Sequence, residues 1–172
     1  WAYDIPVCVH TKLSPDLLMR LGRDGIIDGV KDSSGDDVSF RWLCRANEAV
    51  GHPLQLLTGH EVVVDGAYMS GADGSVPGLA NVDPEGYVRQ WQAYERRDWE
   101  AVRTEQDRLA ELMRIVQVKG VQGFGAGVGA FKAALHLLGV FDSPEMPRPV
   151  AAIEGDNMEH VASVLRAVDL LS

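Results

Sequence analysis

Lys31 stands where a short apolar run, Ile26-Ile27-Asp28-Gly29-Val30, breaks into the polar turn Asp32-Ser33-Ser34-Gly35-Asp36. That places an amine at the C-terminal mouth of a buried strand, the end at which the chemistry of an α/β barrel is done. Little water reaches such an amine, and a desolvated lysine gives up its proton and becomes a nucleophile able to form a Schiff base with a carbonyl carbon. Tyr3 precedes Lys31 by 28 positions, the length of one strand, turn, helix and turn in a βαβ unit. The two side chains can therefore face one another from neighbouring parallel strands. Read singly, each residue is ordinary: most lysines that follow strands are solvated, and an aromatic at a strand start packs in a core. The pairing is what singles them out.

Positioning that pair takes alternating strands and helices, and the chain supplies their signals in order. The first strand is expected over 2–9. Ser14-Pro15 offers an N-cap and a proline at the first helical position, opening a helix through Arg23 with Leu17, Leu18 and Leu21 as its apolar residues. Strands over 26–31, 54–58 and 74–78 follow, with helices over 37–50, over 62–70 and from Pro84 to Arg96. Three further helices are expected over 99–118, 130–138 and 158–171, the first with an apolar stripe at Val102, Leu109, Leu112, Met113 and Val116. Glycines crowd 120–129, but they follow no strand and do not make a GxGxxG pattern, so a dinucleotide site is rejected and a loop is read there. Pro144 to Pro149 reads as an extended connector.

The count is four βα units in 172 residues, whereas a closed (β/α)8 barrel needs eight strands and roughly 250 residues. An open half would leave two strand edges and an apolar interior uncovered. The other half is therefore expected from a longer form of the chain, from another polypeptide or from further copies of this one, and a first residue lying almost inside a strand favours truncation.

Hydrophobic residues make up 46% of the chain and charged residues 24%, which suits an ordinary globular enzyme domain in the cytoplasm. No apolar run approaches the length of a membrane span, and no signal peptide is evident. A formal charge of −9 disfavours a nucleic-acid partner. Two cysteines, Cys8 and Cys44, cannot build a disulfide scaffold and have no ligand-spaced neighbours, so a reducing compartment and no metal are expected.

Four stretches carry a family resemblance: Tyr3-Asp4-Ile5-Pro6, Gly29-Val30-Lys31-Asp32-Ser33-Ser34-Gly35-Asp36, Thr58-Gly59, and Gly71-Ala72-Asp73-Gly74-Ser75-Val76-Pro77-Gly78-Leu79-Ala80-Asn81-Val82. In order and spacing they resemble the pyruvate-dependent Schiff-base lyases that include dihydrodipicolinate synthase and N-acetylneuraminate lyase. The resemblance runs from the first residue to the last helix but covers only the second half of that family's barrel. It implies that residues 1–96 form the second half of a TIM barrel, strands five to eight with their helices, and that residues 97–172 form a helical extension packed on it. It also implies Lys31 as the Schiff-base lysine, Tyr3 as the proton shuttle, no cofactor, a small-molecule 2-keto acid as substrate, and a homo-oligomer, dimer or tetramer. The hydroxyl that polarises the tyrosine and the loop that holds the substrate carboxylate would both lie in the absent N-terminal half-barrel, so the 172-residue chain alone is expected to be inactive.

Gly59 and Val76 match positions that line the family's pocket through backbone groups, although Gly59 could equally just end a strand and Val76 fill a barrel layer. Ser33 and Ser34 could bind a polyhydroxylated substrate or could cap the helix that starts near Asp37. His60 and Glu61 follow at the barrel mouth, where they could touch the distal part of a substrate or simply be solvated. Departures from the family narrow the substrate. Cys8 stands where dihydrodipicolinate synthases carry a carboxylate-gripping arginine, and Val62 stands where sialic acid lyases carry an acidic residue. A thiol cannot replace a guanidinium in bidentate recognition. The reading that remains is a lyase for aldol cleavage or condensation of a 2-keto acid, with a 2-keto-3-deoxy sugar acid dehydratase using the same iminium, and a non-catalytic half-barrel for assembly or sensing, as alternatives.

Overall fold

The computed structural model describes residues 1–123 and 125–172; Phe124, inside the glycine-rich stretch expected over 120–129, lies outside the described residues. Four short strands, β1 (Ala2–Asp4), β2 (Gly29–Asp32), β3 (Gln55–Thr58) and β4 (Gly74–Ser75), form one parallel sheet in the order β1-β2-β3-β4. The helices α2 (Pro15–Arg23), α3 (Asp37–Ala49) and α4 (Val64–Ser70) are the crossovers between them. After β4 come α5 (Pro84–Glu95), α6 (Trp99–Leu112), α7 (Gly127–Leu137) and α8 (Gly155–Ala167). This is the α/β arrangement of half a (β/α)8 barrel, with further helices following it along the chain. No helix among the described residues is long and apolar enough to cross a membrane.

Sequence signals explain why the elements begin where they do. The Ser14 hydroxyl accepts the Leu17 N–H at 3.3 Å, and Pro15 occupies the first position of α2, where its missing N–H leaves nothing unsatisfied. Asp36, not Ser33 or Ser34, caps α3, accepting the Ser39 N–H at 2.9 Å. Gly22 lets α2 lie against the entry to β3: a Cβ there would sit 2.6 Å from Cγ of the fully buried Leu54.

Several boundaries differ from expectation, each for a physical reason. The first strand ends at Asp4, because Pro6 has no N–H for a ladder; a single helical turn, α1 (Pro6–Val9), follows and ends on His10 at φ 56°. The apolar residues of that turn are exposed, Val7 by 71%. The second strand starts at Gly29, three residues late, since Ile26 is spent on closing α2 by donating its N–H to Leu21 O at 2.9 Å. The fourth strand stops at Ser75 and gives way to a 3₁₀ turn at Gly78–Asn81. The helix over 99–118 ends at Leu112 and tightens into a 3₁₀ turn at Met113–Val116. A three-residue period then buries Leu112, Ile115 and Val118, leaving Met113 and Val116 half-buried. The last two helices begin three residues earlier than expected, at Gly127 and Gly155.

The chain divides into two compact units, Trp1–Pro77 with Gln90–Arg103, and Gly78–Arg89 with Thr104–Ser172. The first holds the sheet, α1 to α4 and an aromatic cluster. Tyr68 meets Trp91 and Tyr94 at ring-centroid distances of 5.0 Å each, and Tyr94 meets Trp99 at 5.9 Å. The Tyr68 hydroxyl lies 2.9 Å from Ser75 Oγ, tying α4 to the end of β4. The second unit buries Leu109, Ile115, Ile153 and Leu165 together with the alanines of α7. Its buried Asp83 accepts the Gly86 N–H at 3.0 Å and pairs with Arg108, while Arg89 bonds Glu105 at 3.0 Å.

In the first unit, Asn47 does the work of a missing strand neighbour. Its amide donates to Leu54 O at 2.7 Å and its carbonyl accepts from Leu54 N at 3.0 Å, with both residues fully buried. Asn47→Ala strands two buried backbone groups, each worth about 1–3 kcal/mol. The expected loss is about 2–6 kcal/mol, to be read as a lower midpoint in urea unfolding; an unchanged midpoint would show that water replaces the amide.

Candidate functional site

The pairing of β1 with β2 sets Tyr3 against Lys31 and Asp4 against Asp32. Since successive side chains of a strand point to opposite faces, the first pair shares one face of the sheet and the second pair the other. The Lys31 amine lies 4.6 Å from the centroid of the Tyr3 ring. Tyr3 is half-exposed and Lys31 intermediate, so small molecules can reach both.

Gly59 closes one side of this pair. Its N–H donates to Asp32 O at 2.6 Å, extending the β2–β3 ladder. A Cβ at Gly59 would fall 2.1 Å from Ser33 Oγ and 3.0 Å from Lys31 Cε. Position 59 is therefore glycine because the Lys31 stem and the Ser33 hydroxyl fill the space a side chain needs. Ser33 is held by its N–H, which donates to Asp4 O at 2.8 Å. His60 N–H donates to Thr58 Oγ1 at 3.2 Å, and its ring Nδ1 lies 3.2 Å from Asp37 Oδ1. Val76 N–H donates to Thr58 O at 2.7 Å, which places it past the end of β4, two strands from Lys31, and 45% exposed. Tyr3, Lys31, Ser33 and Gly59 are thus brought together, His60 stands next to them on the chain, and Val76 is set apart.

The opposite face carries what the sequence reading passes over. Asp4 is fully buried and Asp32 nearly so. Lys12, in the loop after α1, pairs with Asp4 and lies 3.5 Å from Asp32 Oδ2. Asp4 also accepts Leu13 N–H at 3.2 Å, and Asp32 accepts both the N–H and the hydroxyl of Ser34, at 2.8 and 2.7 Å. The Ser34 hydroxyl is therefore committed to Asp32. One signal for this network was present: Asp4 and Asp32 repeat the 28-residue spacing of Tyr3 and Lys31, shifted by one. Nothing in the sequence pointed to Lys12.

Burial alone would lower the pKa of the Lys12 ammonium, but its hydrogen bond to Asp4 and the negative charge of Asp32 outweigh that and hold it above the ordinary lysine value. The two cysteines differ. Cys8 is exposed on α1, whereas Cys44 is buried on α3 and its thiol is pushed up to about 12 by burial and by the charge of Asp73. Among the described residues, no group of three or more His, Cys, Asp or Glu side chains is placed to hold a metal ion.

The sequence profile of the Dihydrodipicolinate synthetase family matches residues 2–168. An uncharacterized DapA-like lyase of Halobacterium salinarum is 31% identical over 99% of this chain and 53% of its own length. A 4-hydroxy-tetrahydrodipicolinate synthase of Methanosphaerula palustris is 25% identical over 97% and 54%. Among solved structures, the dihydrodipicolinate synthase of Bacteroides thetaiotaomicron superimposes with a TM-score of 0.85 at 27% identity, covering 96% of this chain and 54% of that one. YagE, a prophage protein of E. coli K12 solved in complex with pyruvate, shares the fold with a TM-score of 0.86 at 20% identity, covering 98% and 55%. The chain spans about half the length of the curated relatives it matches.

Two predictions follow from the charges. Lys12→Met leaves two carboxylates facing one another without their cation; breaking a buried pair costs about 3–5 kcal/mol, and the 30% exposure of Lys12 puts the expected loss near the lower end. Because the folded pKa is raised, the stabilisation by Lys12 is complete below the unfolded lysine value of about 10.4 and is lost as pH rises through the folded value. Wild-type stability measured by denaturant titration should therefore fall above about pH 10.4 by a component that the Lys12→Met protein lacks. Separately, iodoacetamide should alkylate Cys8 in the native protein and reach Cys44 only after unfolding; equal labelling would mean that α3 opens readily.

Proposed function

Because the chain belongs to the dihydrodipicolinate synthetase family, we propose that it carries the Schiff-base half of a 2-keto acid lyase. The observation that supports this most directly is the register of Tyr3 with Lys31, with the amine 4.6 Å from the phenol ring. In this reading, neutral Lys31 Nζ attacks the keto carbon of pyruvate or of a longer 2-keto acid. Water leaves as the iminium forms. The iminium nitrogen draws electrons from the adjacent carbon, which gives up a proton to yield the enamine, and the enamine adds to an aldehyde; the same steps in reverse cleave a carbon–carbon bond. Tyr3, whose hydroxyl can both donate and accept, carries the protons between these steps. Gly59 keeps space open beside the Lys31 stem, and Ser33 offers a hydroxyl there. Pyruvate is the ligand found in the fold neighbour YagE, and it is the smallest substrate this chemistry can use.

The four remaining βα units, with the groups that polarise Tyr3 and grip the substrate carboxylate, come in this reading from an N-terminal half-barrel. The barrel half then covers 1–96 and the helical extension 97–172, the complete enzyme is a homo-oligomer, and the 172-residue chain alone is inactive. Support comes from the relatives, which are about twice as long, and from the open sheet, in which β1 and β4 each have one neighbour and Tyr3 and Val76 remain exposed. Cys8 in place of a guanidinium argues against a substrate whose second carboxylate must be gripped at that position.

The test is borohydride reduction of the complete barrel in the presence of pyruvate, followed by peptide mass spectrometry. The expected outcome is a reduced adduct on Lys31 that Lys31→Ala abolishes. Tyr3→Phe should still be trapped but should turn over about 10²–10⁴-fold more slowly. A folded, complete barrel that gives no adduct would sink the lyase reading and leave a non-catalytic role.

A further inference from the structure

We propose that the groove lined by α3, α4 and the connection from α5 to α6 is a binding site for a small aromatic anion, a flat ring that carries one carboxylate or phosphate. The groove has a volume of about 420 Å³, and Arg41, Arg45, Met69, Ser70, Tyr94 and Trp99 line it. All of them belong to the first compact unit. A space of that size takes a small organic ligand. It stands apart from the Tyr3–Lys31 pair, because crossover helices run back along a parallel sheet. Arg45 lies in the last two turns of α3 and Gly71, also in the lining, just past the end of α4, which sets them near the starts of β3 and β4. Lys31 lies near the opposite end of its strand. The inference therefore does not depend on the Schiff-base reading.

The charge in the groove is positive and unmatched. Arg41 and Arg45 are four residues apart on α3, so their side chains leave the helix on the same side. Arg41 donates to Ser70 Oγ at 3.2 Å, which holds its guanidinium against α4 through a neutral partner. Arg45 makes no hydrogen bond or ion pair among the described residues. Glu48 also borders the groove, but its carboxylate approaches His52 Nδ1 at 3.8 Å and neither arginine. Two guanidiniums one turn apart without a carboxylate partner, in a chain of formal charge −9, present the planar donors that a carboxylate or phosphate takes.

The aromatic residues of the lining are fixed in place. The Tyr94 hydroxyl donates to Tyr68 O at 3.1 Å, and Trp99 meets the Tyr94 ring edge-on at 61°. Trp99 is nevertheless 49% exposed and Met69 60%. An indole held still and left open beside two cations offers a stacking surface, and a ring lying on it can turn its anionic group to the guanidiniums. Cys44, the buried part of the lining, has its thiol pushed up to about 12, so it stays protonated and competes for neither arginine. An aliphatic acid would leave the indole unused, and a neutral ring would leave the guanidiniums unused. Only a molecule with both parts meets both walls of chemistry.

The experiment titrates the complete barrel by calorimetry with adenosine 5′-monophosphate and, separately, with indole-3-acetate; adenosine, indole and inorganic phosphate are the controls. At least one aromatic anion should bind with a Kd of about 1 mM or below, and its neutral ring and phosphate alone roughly tenfold more weakly. The two probes distinguish a phosphate from a carboxylate ligand. Arg45→Gln should weaken the anion about tenfold and leave the neutral ring unchanged, whereas Trp99→Leu should weaken both about threefold to tenfold. Thermal unfolding of each variant checks the fold, and the exposed Arg45 carries the test if the Trp99 variant does not fold. Absence of saturable binding of either anion up to about 10 mM, binding that survives Arg45→Gln, or phosphate binding as tightly as the aromatic anions would overturn the proposal. So would a concentration-dependent self-association that Trp99→Leu abolishes, since a second chain would then cover the groove.

Discussion

Asp4 and Asp32 end two neighbouring parallel strands, side by side and almost without water. Two carboxylates so placed repel one another, and neither is tolerated in a core unless its charge and lone pairs are met. Lys12 meets both, and the remaining oxygens are satisfied by Leu13 N–H and by Ser34. Those partners belong to the two loops that leave β1 and β2. Satisfying a buried pair thus fastens both loops at the end of the sheet, and the Tyr3–Lys31 face inherits its order from the charged one.

On the Tyr3–Lys31 face the governing constraint is space. Ser33 continues the ladder beyond Asp32 by bonding Asp4 O, which carries its hydroxyl toward the third strand. The Lys31 stem runs the same way, and only the hydrogen of Gly59 leaves room for both. Any larger residue would push the lysine or the serine aside. Asp36 and Asp37 then divide their tasks at the start of α3, one capping the helix and the other orienting His60. The six residues from Asp32 to Asp37 therefore supply a buried anchor, a hydroxyl beside Gly59, a helix cap and an imidazole partner in turn.

The parallel sheet also defines what the chain asks of its surroundings. Parallel sheets are stable when both faces are covered, and here Tyr3 and Val76 remain open at the face where a barrel interior would lie. The relatives that this protein matches have chains about twice as long. Lys31 sits on the second of the four strands, with one neighbouring strand on its β1 side and two on its β3 side.

Much of this was legible in the sequence. The strand and helix alternation, the Ser14-Pro15 start signal, the start of α3 at Asp37 and the 28-residue spacing of Tyr3 and Lys31 are local or periodic features, and local features write themselves into a chain. Fine boundaries were not, because they depend on single hydrogen bonds: Ile26 closes a helix where its apolar character suggested a strand, and Pro6 ends a strand that hydrophobicity alone would extend. The tasks of the polar residues were likewise decided by the tertiary structure. Ser33 and Ser34 are adjacent and alike in the sequence, yet one faces Gly59 and the other is consumed by Asp32. Lys12 was one lysine in a loop until folding placed it between two buried carboxylates. A residue's type states what chemistry it can perform; which of its atoms are already occupied is known only once distant segments meet.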